Sequence, residues 1–203
     1  MSVFLDLGVG DLKKWASTNT IDKSIQIELA MQLFSALRYI HSKGCLHRDI
    51  KPQNVIVFEE YTGPRFVLSD FGLARGTDIV TPNNAFTTGV CTLWYRAPEL
   101  LLHYTTYGAE VDVWSMGCTL YELAEDNPLF TGVSESDQLN EIFKVTGTPS
   151  MIPNVPVHRG ILQYFSSKHK LCKLTVKVVE LCIVVDPNLR SDSETIYNMI
   201  VSM

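Results

Sequence analysis

The stretch Cys45–Val57, CLHRDIKPQNVIV, places charged and amide side chains between two apolar flanks. Such groups are costly to bury unless each one is hydrogen-bonded or binds a ligand. One interpretation is a solvated surface loop. The other is a site that positions a phosphate, a metal ion and a hydroxyl group. The rest of the sequence distinguishes these two interpretations.

The overall composition indicates a globular protein. With 203 residues, 46% of them hydrophobic, the chain can bury the core of one domain or of one large lobe. A net charge of -5 and the lack of a Lys/Arg-dense stripe argue against a dedicated nucleic-acid binder. Five widely spaced cysteines without a C-x-x-C pair predict neither a disulfide framework nor a zinc site. We expect no secretion signal, no membrane span and a cytoplasmic or nuclear location.

The hydrophobic pattern predicts several helices and one β-hairpin. From Ser24 to His41 apolar residues recur every three or four positions, as on one face of a helix that Gly44 ends. The β-rich runs Val55–Phe58 and Phe66–Ser69 flank a turn and predict the hairpin. The other predicted elements are a strand at Val3–Leu7 and helices at Leu12–Ser17, Glu110–Ala124, Asp137–Gly147, Leu174–Val185 and Ser193–Met203.

Five motifs follow one another along the chain. They are HRDIKPQN (His47–Asn54), DFG (Asp70–Gly72), APE (Ala97–Glu99), DVWSMGC (Asp112–Cys118) and DPNLR (Asp186–Arg190). The first three, in this order and spacing, are typical of protein kinases. The chain resembles the C-terminal lobe of a eukaryotic Ser/Thr protein kinase of the cyclin-dependent type, in the CMGC group. DFGLAR, TLWYRAPELLL and PLFTGVSESDQLNEIFKVTGTP carry the resemblance to that branch.

The residue types in these motifs suit phosphoryl transfer, which needs charge neutralised and two oxygens held in line. Asp49 is the carboxylate expected beside the substrate hydroxyl, where it can accept or orient the proton. Lys51 lies on the same side of an extended loop and can neutralise the transferring γ-phosphoryl. Asn54 and Asp70 offer oxygen ligands for Mg²⁺, and the predicted hairpin brings them together. ATP and Mg²⁺ are therefore the expected cofactors.

The resemblance implies further contacts with nucleotide and substrate. The residues it assigns to the nucleotide site are Leu5, Asp6, Gly8, Lys51, Asn54, Ile56 and Asp70. Thr92 is expected to contact Asp49 and to select Ser/Thr substrates. Arg96 marks the branch that prefers proline after the phosphoacceptor. The implied partners are a protein substrate, a cyclin-like regulator and an upstream activating kinase, with no nucleic acid and no membrane.

The polar segment Arg75–Gly89 is longer than most connections within a domain, which indicates a functional loop. By resemblance, Thr87 falls at the position that activating kinases phosphorylate. A phosphate there would be bound by Arg48 and Arg75, ordering the loop through charge-assisted hydrogen bonds. Thr88 is adjacent and remains an alternative.

Four other motif residues are assigned structural roles by resemblance. His47 is interpreted as a packed, hydrogen-bonded histidine without a chemical role. Asp112, in an apolar helix, would be an unpaired buried charge unless it binds the catalytic-loop backbone. Glu99 and Arg190 are expected to form a buried ion pair.

A G-x-G-x-x-G loop and a V-A-x-K strand, which cover and bind the phosphates in kinases, are absent from the sequence. The sequence therefore predicts a partial kinase domain over residues 1–203, made of the hinge and a mainly α C-terminal lobe. In this fold a small β-hairpin carries the catalytic loop and the N-terminal sheet is absent. Two functions stay open. One is a proline-directed Ser/Thr kinase, truncated, so that activity of this chain alone is in question. The other is an inactive pseudokinase lobe that acts as a binding module.

Overall fold

The computed structural model describes residues 7–76, 93–147 and 170–203. The strands are β1 Gly10–Asp11, β2 Cys45–Leu46, β3 Val55–Glu60, β4 Gly63–Leu68 and β5 Arg75–Gly76. The helices are α1 Leu12–Ala16, α2 Lys23–Ser42, α3 Pro98–Leu101, α4 Glu110–Glu125, α5 Glu135–Thr146, α6 Lys173–Cys182 and α7 Ser193–Val201. In these three described ranges, no helix is long and apolar enough to cross a membrane.

Helix α2 forms one wall of the core. Asp22 caps its first turn by accepting a hydrogen bond from the Ile25 amide at 2.9 Å. Leu29, Leu33 and Leu37, spaced by four residues, are buried on one face. The helix begins one residue before the predicted start and ends one residue after the predicted end, so the predicted helix is confirmed. Ile27, one of the residues whose spacing predicts the apolar face, is nevertheless 41% exposed.

Helix α4 runs through the centre of the core and is buried on nearly every face, as its almost continuously apolar sequence predicts. Trp114 and Met116 are fully buried. Gly117 lets α6 approach closely, because a Cβ atom at this position would lie 2.4 Å from Cβ of Cys182. The close contact of α4 with α6 therefore requires a glycine there.

The β-hairpin is more extensive than predicted. Strands β3 and β4 pair antiparallel from Val55 opposite Leu68 to Glu60 opposite Gly63, so only Tyr61 and Thr62 remain in the turn. Gly63 has a φ of 125°, which lets the chain reverse this tightly. The predicted strands stopped short because the acidic end of β3 looked like loop in the sequence.

The predicted fold class is wrong, since a sheet is present near the N-terminus. Strand β1 pairs antiparallel with β3, giving the three-stranded order β1-β3-β4. The Val9 amide also donates to the Val57 carbonyl at 2.9 Å. The outer edge of β3 offers unpaired backbone groups, so the segment before α1 pairs there. Most of the predicted strand Val3–Leu7 lies outside the described residues, and Leu7 itself is not in a strand.

The end of α6 and the cap of α7 differ from the sequence-based prediction, which places the former at Val185 and the latter at Ser193. Helix α6 ends at Cys182, three residues early, and the Val184 carbonyl accepts a hydrogen bond from Arg190 Nε at 2.9 Å. Helix α7 is capped by Asp192, whose carboxylate accepts from the Thr195 amide at 2.7 Å, and not by Ser193. At α7 the side chain of the neighbouring Asp192 decides the boundary.

Candidate active site

The backbone of the segment His47–Asn54 is shaped by a carboxylate from α4. Asp112 is fully buried, and its two oxygens accept hydrogen bonds from the amides of His47 at 2.8 Å and Arg48 at 2.7 Å. Arg48 has a φ of 68°, in the left-handed region that non-glycine residues seldom adopt. The buried carboxylate stabilises this strained turn, which sets the direction of the next residue, Asp49.

His47 packs beneath this turn. Its Nε2 lies 2.8 Å from the Ser69 carbonyl oxygen, and its Nδ1 accepts a hydrogen bond from the Asp49 amide at 3.3 Å. The ring proton is therefore on Nε2, which donates to Ser69. The ring also contacts Phe71, with 4.8 Å between centroids. These contacts join the loop to the end of β4.

The side chains of Lys51 and Asn54 meet at Asp49. Lys51 Nζ donates to both carboxylate oxygens, at 2.8 and 3.1 Å. Asn54 Nδ2 donates to the Asp49 carbonyl and to its Oδ2, each at 2.7 Å. The side chains of Asp49 and Lys51 remain 10% and 15% exposed, so the cluster is largely buried but still reaches solvent. The carboxylate is charge-balanced, oriented and accessible.

The β-hairpin brings Asp70 to the same edge as Asn54. The amide and hydroxyl of Ser69 both donate to the Asn54 carbonyl, at 2.9 and 3.0 Å. Asp70 follows with a φ of 59° and accepts a hydrogen bond from the Gly72 amide at 3.3 Å. Asp70 is exposed whereas Asn54 is buried. Asn54 therefore belongs to the Asp49 cluster, and Asp70 directly follows the residue that is hydrogen-bonded to Asn54.

These residues fit a nucleotide-bound Mg²⁺ better than a metal held by protein alone. Within the part of the chain that the structure describes, no three His, Cys, Asp or Glu side chains form a metal-binding group. Mg²⁺ in phosphoryl-transfer sites takes one or two protein oxygens and completes its coordination with phosphates and water. With Asn54 Nδ2 bonded to Asp49, its carboxamide oxygen is left to bind a cation, together with the Asp70 carboxylate.

The remaining predicted nucleotide contacts are described only in part. Gly8 approaches the hairpin so closely that a Cβ atom would lie 2.3 Å from Ile56 Cγ2 and 2.7 Å from the Val57 carbonyl oxygen. Ile56 is half-buried beneath it. Leu5 and Asp6 lie outside the described residues.

Arg48 and Arg75, the arginines predicted to bind a phosphate on Thr87, lie near one another in the fold. Strand β5 pairs with β2, which places Arg75 opposite Leu46, two residues before Arg48. Arg48 Nε donates to the Leu73 carbonyl at 2.7 Å, and its Nη1 donates to the Tyr107 hydroxyl at 3.1 Å. The predicted residues Thr87, Thr88 and Thr92 lie outside the described residues. The phosphate-binding role of the arginines stays a prediction.

Arg96 and Arg190 each pair with a carboxylate. Arg96 Nη1 is 2.9 Å from Oε1 of Glu135 at the start of α5. Arg190 contacts Glu99 through two parallel hydrogen bonds of 2.7 and 3.0 Å, and both side chains are buried. Arg190 Nη1 also donates to the Glu110 carbonyl at 2.7 Å. This second pair ties α3 to α4 and to the segment before α7.

The sequence alone did not predict a charge cluster formed by Glu122, Tyr95 and Lys13. Glu122 of α4 is buried, accepts a hydrogen bond from the Tyr95 hydroxyl and lies 2.6 Å from Lys13 Nζ. Burial, and then the hydrogen bond to Glu122, raises the pKa of Tyr95 well above its ordinary value. The available signal was Glu122 itself, a charged residue that directly follows the buried Tyr121 and precedes the buried Leu123.

Comparison with known proteins gives a consistent picture. A family model described as the protein kinase domain matches residues 2–200. "Cell division control protein 2 homolog 1" of Trypanosoma brucei brucei is 43% identical over 142 residues, which cover 69% of this chain and 46% of that protein. "Cyclin-dependent kinase 1" of Encephalitozoon cuniculi (strain GB-M1) is 45% identical over 130 residues, which cover 64% and 42%. The chain spans less than half the length of these two curated relatives.

A solved structure is similar over most of the chain. The "Crystal Structure of the yeast RNA Pol II CTD kinase CTDK-1 complex" matches with a TM-score of 0.80 and 29% identity, over 95% of this chain and 67% of that one. The structural match over 95% of the chain and the family match from residue 2 also contradict the predicted lack of an N-terminal sheet.

Proposed function

Since the chain belongs to the protein kinase domain family, we propose that it acts as a Ser/Thr protein kinase of the cyclin-dependent-kinase-like type. It transfers the γ-phosphoryl group of ATP to a Ser or Thr hydroxyl of a protein substrate. The observation that carries the proposal is the Asp49 carboxylate, held between Lys51 and Asn54 and still accessible at the surface.

Each side chain of the cluster has a task that its contacts support. Asp49 accepts or orients the proton of the substrate hydroxyl, because its carboxylate is fixed by two neighbours. Lys51 balances the charge of Asp49 and stands where the γ-phosphoryl would be neutralised. Asn54 and Asp70 hold Mg²⁺, which supplies charge neutralisation of the phosphates when bound.

The finer features of the proposal rest on resemblance. Arg96, seated against Glu135, favours proline after the phosphoacceptor. A cyclin-like regulator and an activating kinase that modifies Thr87 are the proposed partners, since the relatives are named as a cell division control protein and a cyclin-dependent kinase. Arg48 and Arg75 then bind the added phosphate. The proposed location is the cytoplasm, the nucleus or both.

A binding module without catalysis is the second candidate. The observation in its favour is that no G-x-G-x-x-G or V-A-x-K motif occurs in the sequence. In that case the cluster at Asp49 would persist as a scaffold, and substrates or regulators would dock without phosphoryl transfer.

Phosphoryl transfer from radiolabelled ATP separates the two candidates. The chain is tested with Mg²⁺ and peptides that carry Ser-Pro or Ser-Ala, alone and after treatment with a proline-directed activating kinase. Incorporation into the Ser-Pro peptide that Asp49→Asn strongly reduces supports the enzyme. Asp126→Asn, at an exposed site, is the matched control and retains activity. Absence of transfer, together with no Mg-ATP-dependent thermal shift, supports the binding module.

A further inference from the structure

His41, in the last turn of α2, uses both nitrogens of its ring. Its Nε2 is 3.0 Å from Oδ2 of Asp112, and its Nδ1 is 2.9 Å from Oγ of Ser193, the first residue of α7. Asp112 is 0% and Ser193 3% exposed, and the His41 side chain is 9% exposed. The three residues join α2, α4 and α7 at one buried point.

The contacts of Asp112 determine where the protons lie. This carboxylate already accepts the amides of His47 and Arg48, so it is an acceptor toward His41 as well. His41 Nε2 therefore carries a proton and donates a hydrogen bond to Asp112. In the neutral ring Nδ1 has no proton, and the hydroxyl of Ser193 must donate to it.

We propose that Ser193 is a positioning residue for the catalytic loop. Its hydroxyl holds the His41 ring with the proton on Nε2, and His41 in turn orients the Asp112 carboxylate toward the amides of His47 and Arg48. As far as catalysis is concerned, the inference rests on the proposed function. Asp49 directly follows Arg48, so a turn of the Asp112 carboxylate displaces the proposed base. Ser193 is too buried to reach a substrate and is not a nucleophile.

The helix cap does not account for the Ser193 hydroxyl. The first turn of α7 is capped by Asp192, whose carboxylate accepts from the Thr195 amide at 2.7 Å. The two neighbouring side chains therefore have separate tasks, one for the helix and one for His41. Asp192→Ala weakens α7 without removing the His41 contact, which makes it the matched control for Ser193→Ala.

Amide hydrogen exchange in the full chain, followed by NMR, tests the inference without relying on activity. Ser193→Ala is expected to speed exchange at His47 and Arg48 about fivefold, the factor that corresponds to one net hydrogen bond. Ser193→Thr keeps the hydroxyl and restores slow exchange. Asp192→Ala speeds exchange within α7 only. Unchanged exchange at His47 and Arg48 in Ser193→Ala, or the same pattern in both alanine variants, would overturn the inference.

A measurement on the unaltered chain covers the case in which Ser193→Ala does not fold. Nitrogen-15 spectra of the His41 ring in its neutral form are expected to show the proton on Nε2. A proton on Nδ1 would mean that Ser193 accepts and does not donate, and the inference would fail.

Kinetics then separate this inference from the proposed function. In preparations that phosphorylate a peptide, Ser193→Ala is expected to lower kcat about fivefold with an unchanged KM for ATP. Wild-type kcat in Ser193→Ala would refute the positioning role while leaving the kinase proposal intact. If the parent chain transfers no phosphoryl group, the proposed function fails, and exchange at His47 and Arg48 still decides the role of Ser193.

Discussion

Two charged clusters in this protein each contain a carboxylate and a basic side chain, and they differ in their exposure to solvent. In the Glu99–Arg190 pair both side chains are buried, and the guanidinium also reaches the backbone carbonyls of Glu110 and Val184. In the Asp49–Lys51 pair the carboxylate remains 10% exposed beside the exposed Asp70. The first cluster is closed to solvent and holds helices together, whereas the second is open to solvent at its edge.

The closed cluster gives the largest expected effect. Arg190→Met leaves Glu99 as a buried charge without its partner, which costs on the order of 3–5 kcal/mol of unfolding free energy. Urea denaturation measures the loss. The double variant Glu99→Leu, Arg190→Met removes both charges and should regain most of the stability. If the double variant had the same low unfolding free energy as Arg190→Met, the loss would come from contacts of Arg190 other than its pairing with Glu99.

The open cluster should respond in the opposite way. Asp49→Asn removes a charge that is already near solvent, so we expect a small change in unfolding free energy and a loss of about 10²- to 10³-fold in kcat. Urea denaturation and peptide phosphorylation with Mg-ATP are measured on the same samples. If the unfolding free energy fell as far as in Arg190→Met while phosphoryl transfer persisted, Asp49 would have a structural role like that of Glu99 and no catalytic one.

The contrast also shows what the sequence could predict. Asn54 and Asp70 lie at the two ends of a local hairpin, so strand pattern and turn residues were enough to bring them together. Helix α2 followed from its apolar periodicity, and α4 from a stretch that is apolar on nearly every face, which are again local signals. Lys51 and Asp49 are two positions apart, and their contact needs only an extended loop.

Contacts between distant parts of the chain could not be predicted in this way. Lys13 and Glu122 are 109 positions apart, and His41 and Ser193 are 152 apart. Their pairing depends on how helices pack, which a periodic pattern does not specify. The strand β1 was missed because two residues, Gly10 and Asp11, carry no alternating pattern and pair only where the edge of β3 is available.

The Lys13–Glu122 pair provides an intermediate case. Glu122 is buried, but the Lys13 side chain is 44% exposed, so the cluster is closed on one side only. Lys13→Met removes one charged hydrogen bond and leaves Tyr95 as the described donor to Glu122, which should cost about 1.5–3 kcal/mol. Lys14→Met, on the neighbouring position of α1, is the control. If Lys13→Met lost as much unfolding free energy as Arg190→Met, the exposure of Lys13 would not reduce the cost of breaking the pair.

The smallest effect is expected where both partners face water. Arg38 and Glu194 form an ion pair of 3.2 Å between α2 and α7, with side chains 36% and 58% exposed. A double-mutant cycle with Arg38→Met and Glu194→Gln should give a coupling of about 0.2–1 kcal/mol, which 0.5 M salt reduces further. Arg38 also stacks 3.8 Å above the Tyr197 ring, so Arg38→Met alone can cost more than the coupling shows. A salt-independent coupling as large as the loss of unfolding free energy in Arg190→Met would contradict the view that burial decides how much a charged pair contributes to the stability of this protein.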